Sequence, residues 1–126
     1  MSNPIKYTDI DDASAGCVYD WNEFHVLRGT DGNMYTAEAA GCSCDAFFRY
    51  EWKSSDDDTR LLEYGVEATP CPSWIEACNR IKAWANEEGY DRDERQSTGM
   101  QLIERLTESK PPAFDASAAR MEGETL

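Results

Sequence analysis

The side chains best suited to chemistry lie in the run Gly41-Cys42-Ser43-Cys44. A glycine followed by two cysteines two positions apart is typical of a backbone kink that brings two sulfur atoms together. Two thiolates placed in this way can supply half of a tetrahedral metal site, or can take part in thiol redox chemistry. This run is therefore the first candidate site, and the question is which other residues complete it.

A structural zinc site requires four nitrogen or sulfur donors, and the chain contains five cysteines and one histidine. His25 is a further donor, whereas Cys78 lies on the apolar stripe of a predicted helix and fits a packed core thiol. Buried free thiols, redox activity and a disulfide are the alternatives to metal binding. The ligands predicted for a structural zinc ion are Cys42, Cys44, Cys17 and Cys71.

Nucleophilic catalysis by a cysteine requires a base, normally a histidine, within hydrogen-bonding distance. His25 is the one histidine, and in the hairpin predicted below it faces Glu38, which would orient the imidazole. The kink at Gly41 would then have to fold the Cys42 thiol back toward the ring. A half-exposed histidine in a cross-strand ion pair is the simpler interpretation, and we expect a protein without enzymatic activity.

A β-hairpin must position these residues, and it is the strongest structural prediction. Residues 21–28 alternate between two faces, and the following Asp31-Gly32 dipeptide accommodates a type I′ turn. A two-residue loop at that dipeptide places His25 opposite Glu38. The second strand of the hairpin leads directly into the cysteine run.

Further elements follow the cysteines. Residues 46–53 predict an amphipathic third strand, 54–58 a solvated turn, and 59–66 either a fourth strand or a short helix. Ser73 and Glu76 have the spacing of a helix capping box, with apolar residues recurring at helical spacing behind them and Gly89 as the stop signal. A second helix is expected to begin between 91 and 98 and to end before Pro111.

The predicted fold class is α+β, with a small antiparallel sheet of three to four strands and two C-terminal helices packed on one of its faces. We expect a polar, irregular N-terminal arm over residues 1–20 with at most one short strand. A single α+β domain is predicted over residues 21–109, and a flexible polar tail over residues 110–126.

The net charge of −13 is the strongest constraint on partners. Self-repulsion disfavours binding to DNA, RNA or anionic membranes through phosphate contacts, and favours a protein with a basic surface. The densest group of acids lies at the junction of the two predicted helices. It is either a solvated connection or a contact surface that competes with nucleic acid for a basic cleft. Its residues are Glu87, Glu88, Asp91, Asp93 and Glu94.

Three runs of the sequence resemble a family of small actinobacteriophage proteins that carry a domain of unknown function. The runs are Phe24-His25-Val26-x-Arg28, Asp31-Gly32-Asn33-x-Tyr35 and Gly41-Cys42-Ser43-Cys44. The similarity spans about residues 20–86 and includes the helix that carries Ile81 and Trp84. The resemblance implies a phage origin and a similar fold, and it implies no particular activity.

These observations predict a small acidic phage accessory protein that acts by protein–protein interaction, with inhibition of a host defence or nucleic-acid-binding protein as a specific form. No apolar stretch is long enough for a membrane helix, and the N-terminal residues lack the apolar run of a signal peptide, so the expected location is the host cytoplasm. A virion-associated or zinc-stabilised module is the alternative, and a thiol enzyme using Cys42 or Cys44 is a third hypothesis.

Overall fold

Four strands and two helices make up the part of the chain that the computed structural model describes, residues 5–17, 20–42 and 67–109. The strands form one antiparallel sheet in the order β1-β2-β3-β4. The α+β prediction is therefore confirmed. The elements are β1 (Tyr7–Cys17), β2 (Asp20–Gly29), β3 (Met34–Cys42), β4 (Thr69–Pro70), α1 (Trp74–Asn86) and α2 (Arg92–Ser109).

Both helices pack on the same face of the sheet, as the sequence predicted. The Phe24 and Trp84 rings meet there with their centroids 6.0 Å apart. Burying a large apolar side chain of this kind stabilises a fold by roughly 1.5–3 kcal/mol. The buried core on this face consists of Ala13, Phe24, Val26, Met34, Cys71, Ala77, Ile81, Trp84, Ala85, Leu102 and Leu106.

The opposite face of the sheet is buried as well, so the central strand β2 is covered on both sides. Tyr7 and Tyr35 make an edge-to-face contact on this face, with ring centroids 5.0 Å apart. Trp21 and Leu27 of β2 belong to the same cluster. Because both faces of β2 are buried, any charged residue on this strand has to be accommodated inside the protein.

The hairpin between β2 and β3 is present, but its loop has three residues instead of the two that the sequence predicted. The amide of Gly32 donates to the carbonyl of Gly29 at 2.9 Å, and the amide of Gly29 donates to the carbonyl of Asn33 at 2.8 Å. Gly32 has φ +85°, the left-handed conformation that a three-residue loop needs at its last position. The dipeptide was identified correctly, but the turn type was wrong.

The extra loop residue shifts the pairing of the two strands by one position. His25 pairs with Ala37, and Glu38 pairs with Phe24. Because side chains alternate along a strand, Glu38 lies on the face opposite to that of His25. The predicted His25–Glu38 pair is therefore wrong, and with it the idea that Glu38 orients the imidazole.

The N-terminal segment is a strand of 11 residues rather than the irregular arm that its polar sequence predicted. The pairing of β1 with β2 runs from Tyr7 opposite Gly29 to Cys17 opposite Asp20. The register shifts between Asp9 and Asp11, which makes Ile10 an extra residue, a β-bulge. Asp-rich composition and the bulge together hide the alternation by which strands are recognised.

Other predicted elements lie outside the described residues. These are the strand over 46–53, the turn over 54–58, the strand or helix over 59–66 and the tail over 110–126. Within the described ranges, neither helix combines the length and the apolar character needed to cross a bilayer.

The start of α1 provides a test of the capping argument. Ser73 is the N-cap residue, and its hydroxyl oxygen accepts the amide hydrogen of Glu76 at 3.1 Å. We expect Ser73→Ala to lower the free energy of unfolding by about 1 kcal/mol, because that amide loses its partner. Ser97→Ala, an exposed position inside α2, is the matched control and should change it by less than about 0.5 kcal/mol. Urea unfolding measures both, and equal effects would contradict the assignment.

Candidate functional site

A buried arginine holds the junction between α1 and α2 together. Arg95 is 2% exposed, and its guanidinium donates to the carbonyl oxygens of Trp84 at 2.5 Å and Glu87 at 2.6 Å. Those carbonyls lie at the C-terminal end of α1, where the Trp84 carbonyl also accepts the amide of Glu87 at 3.4 Å and no following helical turn supplies further amides. Arg95 also donates to Asp91 at 3.0 Å, four residues earlier in the chain. One side chain thus fixes the end of one helix against the start of the next.

The same junction is attached to the end of the β1–β2 pair by three hydrogen bonds. Asn22 of β2 donates its side-chain amide to Asp91 at 2.7 Å, and the amide of Gly16 donates to the Glu94 carboxylate at 3.0 Å. The hydroxyl of Tyr90 donates to the carbonyl of Asp20 at 2.5 Å. The helix junction is therefore held in a fixed position beside the ends of β1 and β2.

Of the five predicted contact residues, Asp91 is not available at the surface. It is 5% exposed and engaged by both Asn22 and Arg95. Burial by itself would raise the pKa of Asp91, but these hydrogen bonds outweigh it and hold the pKa below its usual value. Asp91 positions the junction, and the prediction that it contacts a partner is wrong.

The remaining four predicted residues are exposed, and along the chain they flank an aromatic residue that the sequence analysis did not single out. Tyr90 is 67% exposed, although its hydroxyl is anchored. Glu38 lies close enough for the Glu87 charge to add to the rise that burial causes in the Glu38 pKa. We call the exposed group the junction surface; its residues are Glu87, Glu88, Tyr90, Asp93 and Glu94.

Cys71, one of the four predicted zinc ligands, lies apart from Cys17 and Cys42. Cys17 and Cys42 both end their strands opposite Asp20, on either side of it. The amide of Cys71 donates to the carbonyl of Met34 at 2.9 Å, at the other end of β3. Cys42 lies eight positions after Met34 along β3, about 26 Å at 3.3 Å per residue. Cys71 therefore cannot share an ion with Cys42.

The structure describes the side chains of Cys71 and Cys78, and both are packed against other residues of the protein. Cys71 is fully buried among apolar residues and donates its thiol to the carbonyl of Ser73 at 3.7 Å. Burial raises the pKa of the Cys78 thiol, which disfavours the thiolate that nucleophilic or metal chemistry would use. Cys44 lies outside the described residues.

A second polar group, which the sequence analysis missed, lies on the sheet face away from the helices; its histidine and glutamate are buried and its two aspartates are half-buried. His25 is completely buried, and its Nε2 lies 2.9 Å from Glu23, itself 1% exposed. Its Nδ1 lies 3.9 Å from a carboxylate oxygen of Asp9. Asp12 is the direct partner of His25 across β1 and β2. We call this group the buried acidic cluster; its residues are Asp9, Asp12, Glu23 and His25.

The bulge in β1 is the reason why this cluster forms. Residues three apart in a regular strand point to opposite faces of a sheet. The extra residue Ile10 restores Asp9 and Asp12 to the same face, that of His25. It also turns Asp11 toward the helices, where Arg105 binds it at 2.8 Å. The only available signal in the sequence was the acidic run itself, since nothing in it marks the bulge.

The surroundings of Asp9 and His25 raise the pKa values of both groups. Burial, the largest cause, raises the pKa of Asp9 to about 8, with Asp12 adding to the rise and His25 opposing it. Burial alone would lower the pKa of His25, but hydrogen bonding and charge from Asp9 and Glu23 raise it to about 9. The imidazole that was expected to be half-exposed is instead the centre of a buried charge network.

Comparison of the chain with models of protein families, with curated proteins and with solved structures gave no match. The arguments about function therefore rest on the geometry of the junction surface and of the buried acidic cluster.

Replacing Arg95 tests the junction. We expect Arg95→Met to lower the free energy of unfolding by roughly 3–5 kcal/mol, because it leaves Asp91 as an uncompensated buried charge. Arg92→Met, an exposed arginine in the first turn of α2, is the matched control and should cost less than about 0.5 kcal/mol. Chemical unfolding of both variants gives the comparison. A small effect at Arg95 would show that the junction is not held by this side chain.

The raised pKa values predict how stability depends on pH. The pKa of His25 rises from 6.5 to about 9 on folding, so the folded protein holds this proton more tightly than the unfolded chain. That contribution is complete below pH 6.5 and is lost as the pH rises through 9. The raised pKa of Asp9 acts in the same direction.

We therefore expect the urea midpoint, measured with EDTA present, to fall between pH 6.5 and pH 9. The fall should be smaller in Asp9→Asn, which removes one of the coupled protons. A midpoint that stays constant or rises over this interval in the unmodified protein would contradict the prediction.

Proposed function

We propose that this protein is a small phage accessory protein that acts by binding, and that its junction surface docks onto a basic surface of another protein in the host cytoplasm. The observation that supports this best is the combination of a rigid support with exposed acidic and aromatic side chains. Arg95 and Asp91 fix the backbone between the two helices, and the exposed side chains belong to that backbone and to the first turn of α2.

Rigidity matters for affinity because ordering a flexible loop on binding costs free energy. An immobilised, rotamer-rich side chain costs about 0.5–1.5 kcal/mol. At the junction, the backbone between the helices is already fixed by hydrogen bonds from Arg95, and Tyr90 is already anchored to Asp20. The junction surface is therefore already ordered before a partner binds, and little free energy is lost in ordering it on binding.

Tyr90 supplies the anchoring contact in this proposal. Tyrosine is enriched among the few interface residues that dominate binding energy, and it is most effective when neighbouring groups exclude water from it. The four junction carboxylates, on Glu87, Glu88, Asp93 and Glu94, form a rim that a basic partner would neutralise. The expected geometry has lysine or arginine side chains of the partner packed against the exposed part of the Tyr90 ring, while its hydroxyl stays bound to Asp20.

The net charge supports a basic partner and argues against nucleic acid as the direct ligand. A chain of net charge −13 is attracted to cationic surfaces, and complementary charge raises association rates. A protein that binds DNA or RNA has such a surface by necessity. The specific form of the proposal is competition with nucleic acid for the basic cleft of a host defence or nucleic-acid-handling protein.

The test is an affinity capture from nuclease-treated host lysate at low and high salt, followed by affinity measurement with the captured protein. The neutralised variant carries Glu87→Gln, Glu88→Gln and Asp93→Asn. Its matched control carries Glu67→Gln, Glu104→Gln and Glu108→Gln, which removes the same charge from exposed positions elsewhere. A third variant is Tyr90→Ala.

We expect the neutralised variant to bind about tenfold more weakly at low salt, mainly through slower association. Tyr90→Ala should weaken binding about tenfold or more through faster dissociation. The control variant should retain most of the affinity. Equal losses in the neutralised and control variants would leave only a general charge effect and would refute the junction surface as the contact.

A further inference from the structure

The buried acidic cluster has the donor geometry of a metal site. One oxygen each from Asp9 and Asp12 and one ring nitrogen of His25 lie within 4.8 Å of one another. Two ligand atoms that are each about 2.1 Å from an ion lie at most about 4.2 Å apart. The separation of 3.9 Å between His25 Nδ1 and Asp9 is already inside that limit. Three donors around one ion lie about 3.0–3.4 Å apart at tetrahedral or octahedral angles, so binding would draw the side chains together by up to about 1.5 Å.

Glu23 orients the imidazole for this role. Its carboxylate lies 2.9 Å from His25 Nε2. When that nitrogen carries the proton, Nδ1 presents its lone pair toward Asp9. A carboxylate that holds the outer nitrogen of a ligating histidine is the usual support in protein metal sites, where it fixes the tautomer and raises the basicity of the ligand.

The negative charge of the cluster is a second reason to expect a bound cation. The cluster places three carboxylates around one buried imidazole. Buried carboxylates are costly unless protons or cations neutralise them. A dication bound among these side chains would neutralise the carboxylates.

We propose that Asp9, Asp12 and His25 bind one divalent first-row transition-metal ion, with Glu23 as the positioning residue for His25. The mixed donor set selects this class of ion, because imidazole suits zinc, copper, iron or nickel and carboxylates suit manganese, whereas magnesium and calcium favour oxygen ligands alone. The site joins β1 to β2 through the bulge at Ile10 and lies on the sheet face opposite to the helices. It goes beyond the proposed protein-binding function and does not depend on it.

Manganese is the probe that separates this site from the cysteines, because carboxylates suit Mn²⁺ and thiolates do not. The experiment titrates the chelator-treated full chain with Mn²⁺ and follows free ion by electron paramagnetic resonance. Electron spin echo modulation then reports whether an imidazole nitrogen is bound. Parallel titrations use Zn²⁺, Mg²⁺ and Ca²⁺ with calorimetry.

The decisive comparison uses two neighbouring aspartates. Asp12→Asn removes a ligand, whereas Asp11→Asn makes the same chemical change one residue away on the opposite face, where Asp11 binds Arg105. We expect one Mn²⁺ per chain, binding weakened at least tenfold by Asp12→Asn, and little change with Asp11→Asn. Thermal unfolding in EDTA establishes that both variants fold.

Glu23→Gln tests the positioning role, because glutamine can still accept a hydrogen bond but carries no charge. We expect it to weaken Mn²⁺ binding about tenfold while the imidazole modulation persists, and His25→Gln to abolish that modulation. Absence of Mn²⁺ and Zn²⁺ binding to the unmodified chain would overturn the proposal. So would binding that Asp12→Asn and Asp11→Asn affect equally.

Discussion

One extra residue in the first strand determines how the acidic N-terminal segment is used. Without the bulge at Ile10, Asp9 and Asp12 would lie on opposite faces of the sheet. With the bulge, Asp11 faces the helices and binds Arg105, while Asp9 and Asp12 lie close to His25 on the other face. The ion pair between Arg105 of α2 and Asp11 of β1 and the composition of the buried acidic cluster both depend on this irregularity.

Local signals in the sequence were sufficient for the helices and for part of the sheet. The capping box at Ser73 predicted the start of α1, and the apolar spacing predicted α2, because both features act within one or two turns of helix. The hairpin was recognised from Asp31-Gly32, but this dipeptide fits a two-residue and a three-residue loop equally well. Its register was therefore wrong by one position, which moved Glu38 to the incorrect face.

Elements that depend on distant partners were not predictable. The strand β1 has the composition of a loop and is recognisable only through its pairing with β2, and β4 consists of two residues, one of them a proline. The acids of the helix junction were found from their density alone. The burial of Asp91 could not be predicted, because an aspartate four residues before an arginine has the same spacing whether the pair is exposed or buried. The cysteine hypothesis failed at Cys71 for the same reason, since spacing along the chain does not show which end of β3 a residue adjoins.

The directions of β1 and α2 give the molecule two distinct poles. Tyr7 begins β1 beside the hairpin turn, and α2 runs from the helix junction toward that same end, passing Arg105 beside Asp11 on the way. The described chain therefore enters and leaves at the hairpin pole, and the junction surface occupies the other. Labels or solid supports attached at Lys6 or Glu108, two exposed residues close to where the described chain begins and ends, would lie at the pole remote from the tyrosine and its carboxylates and would leave this surface facing solution.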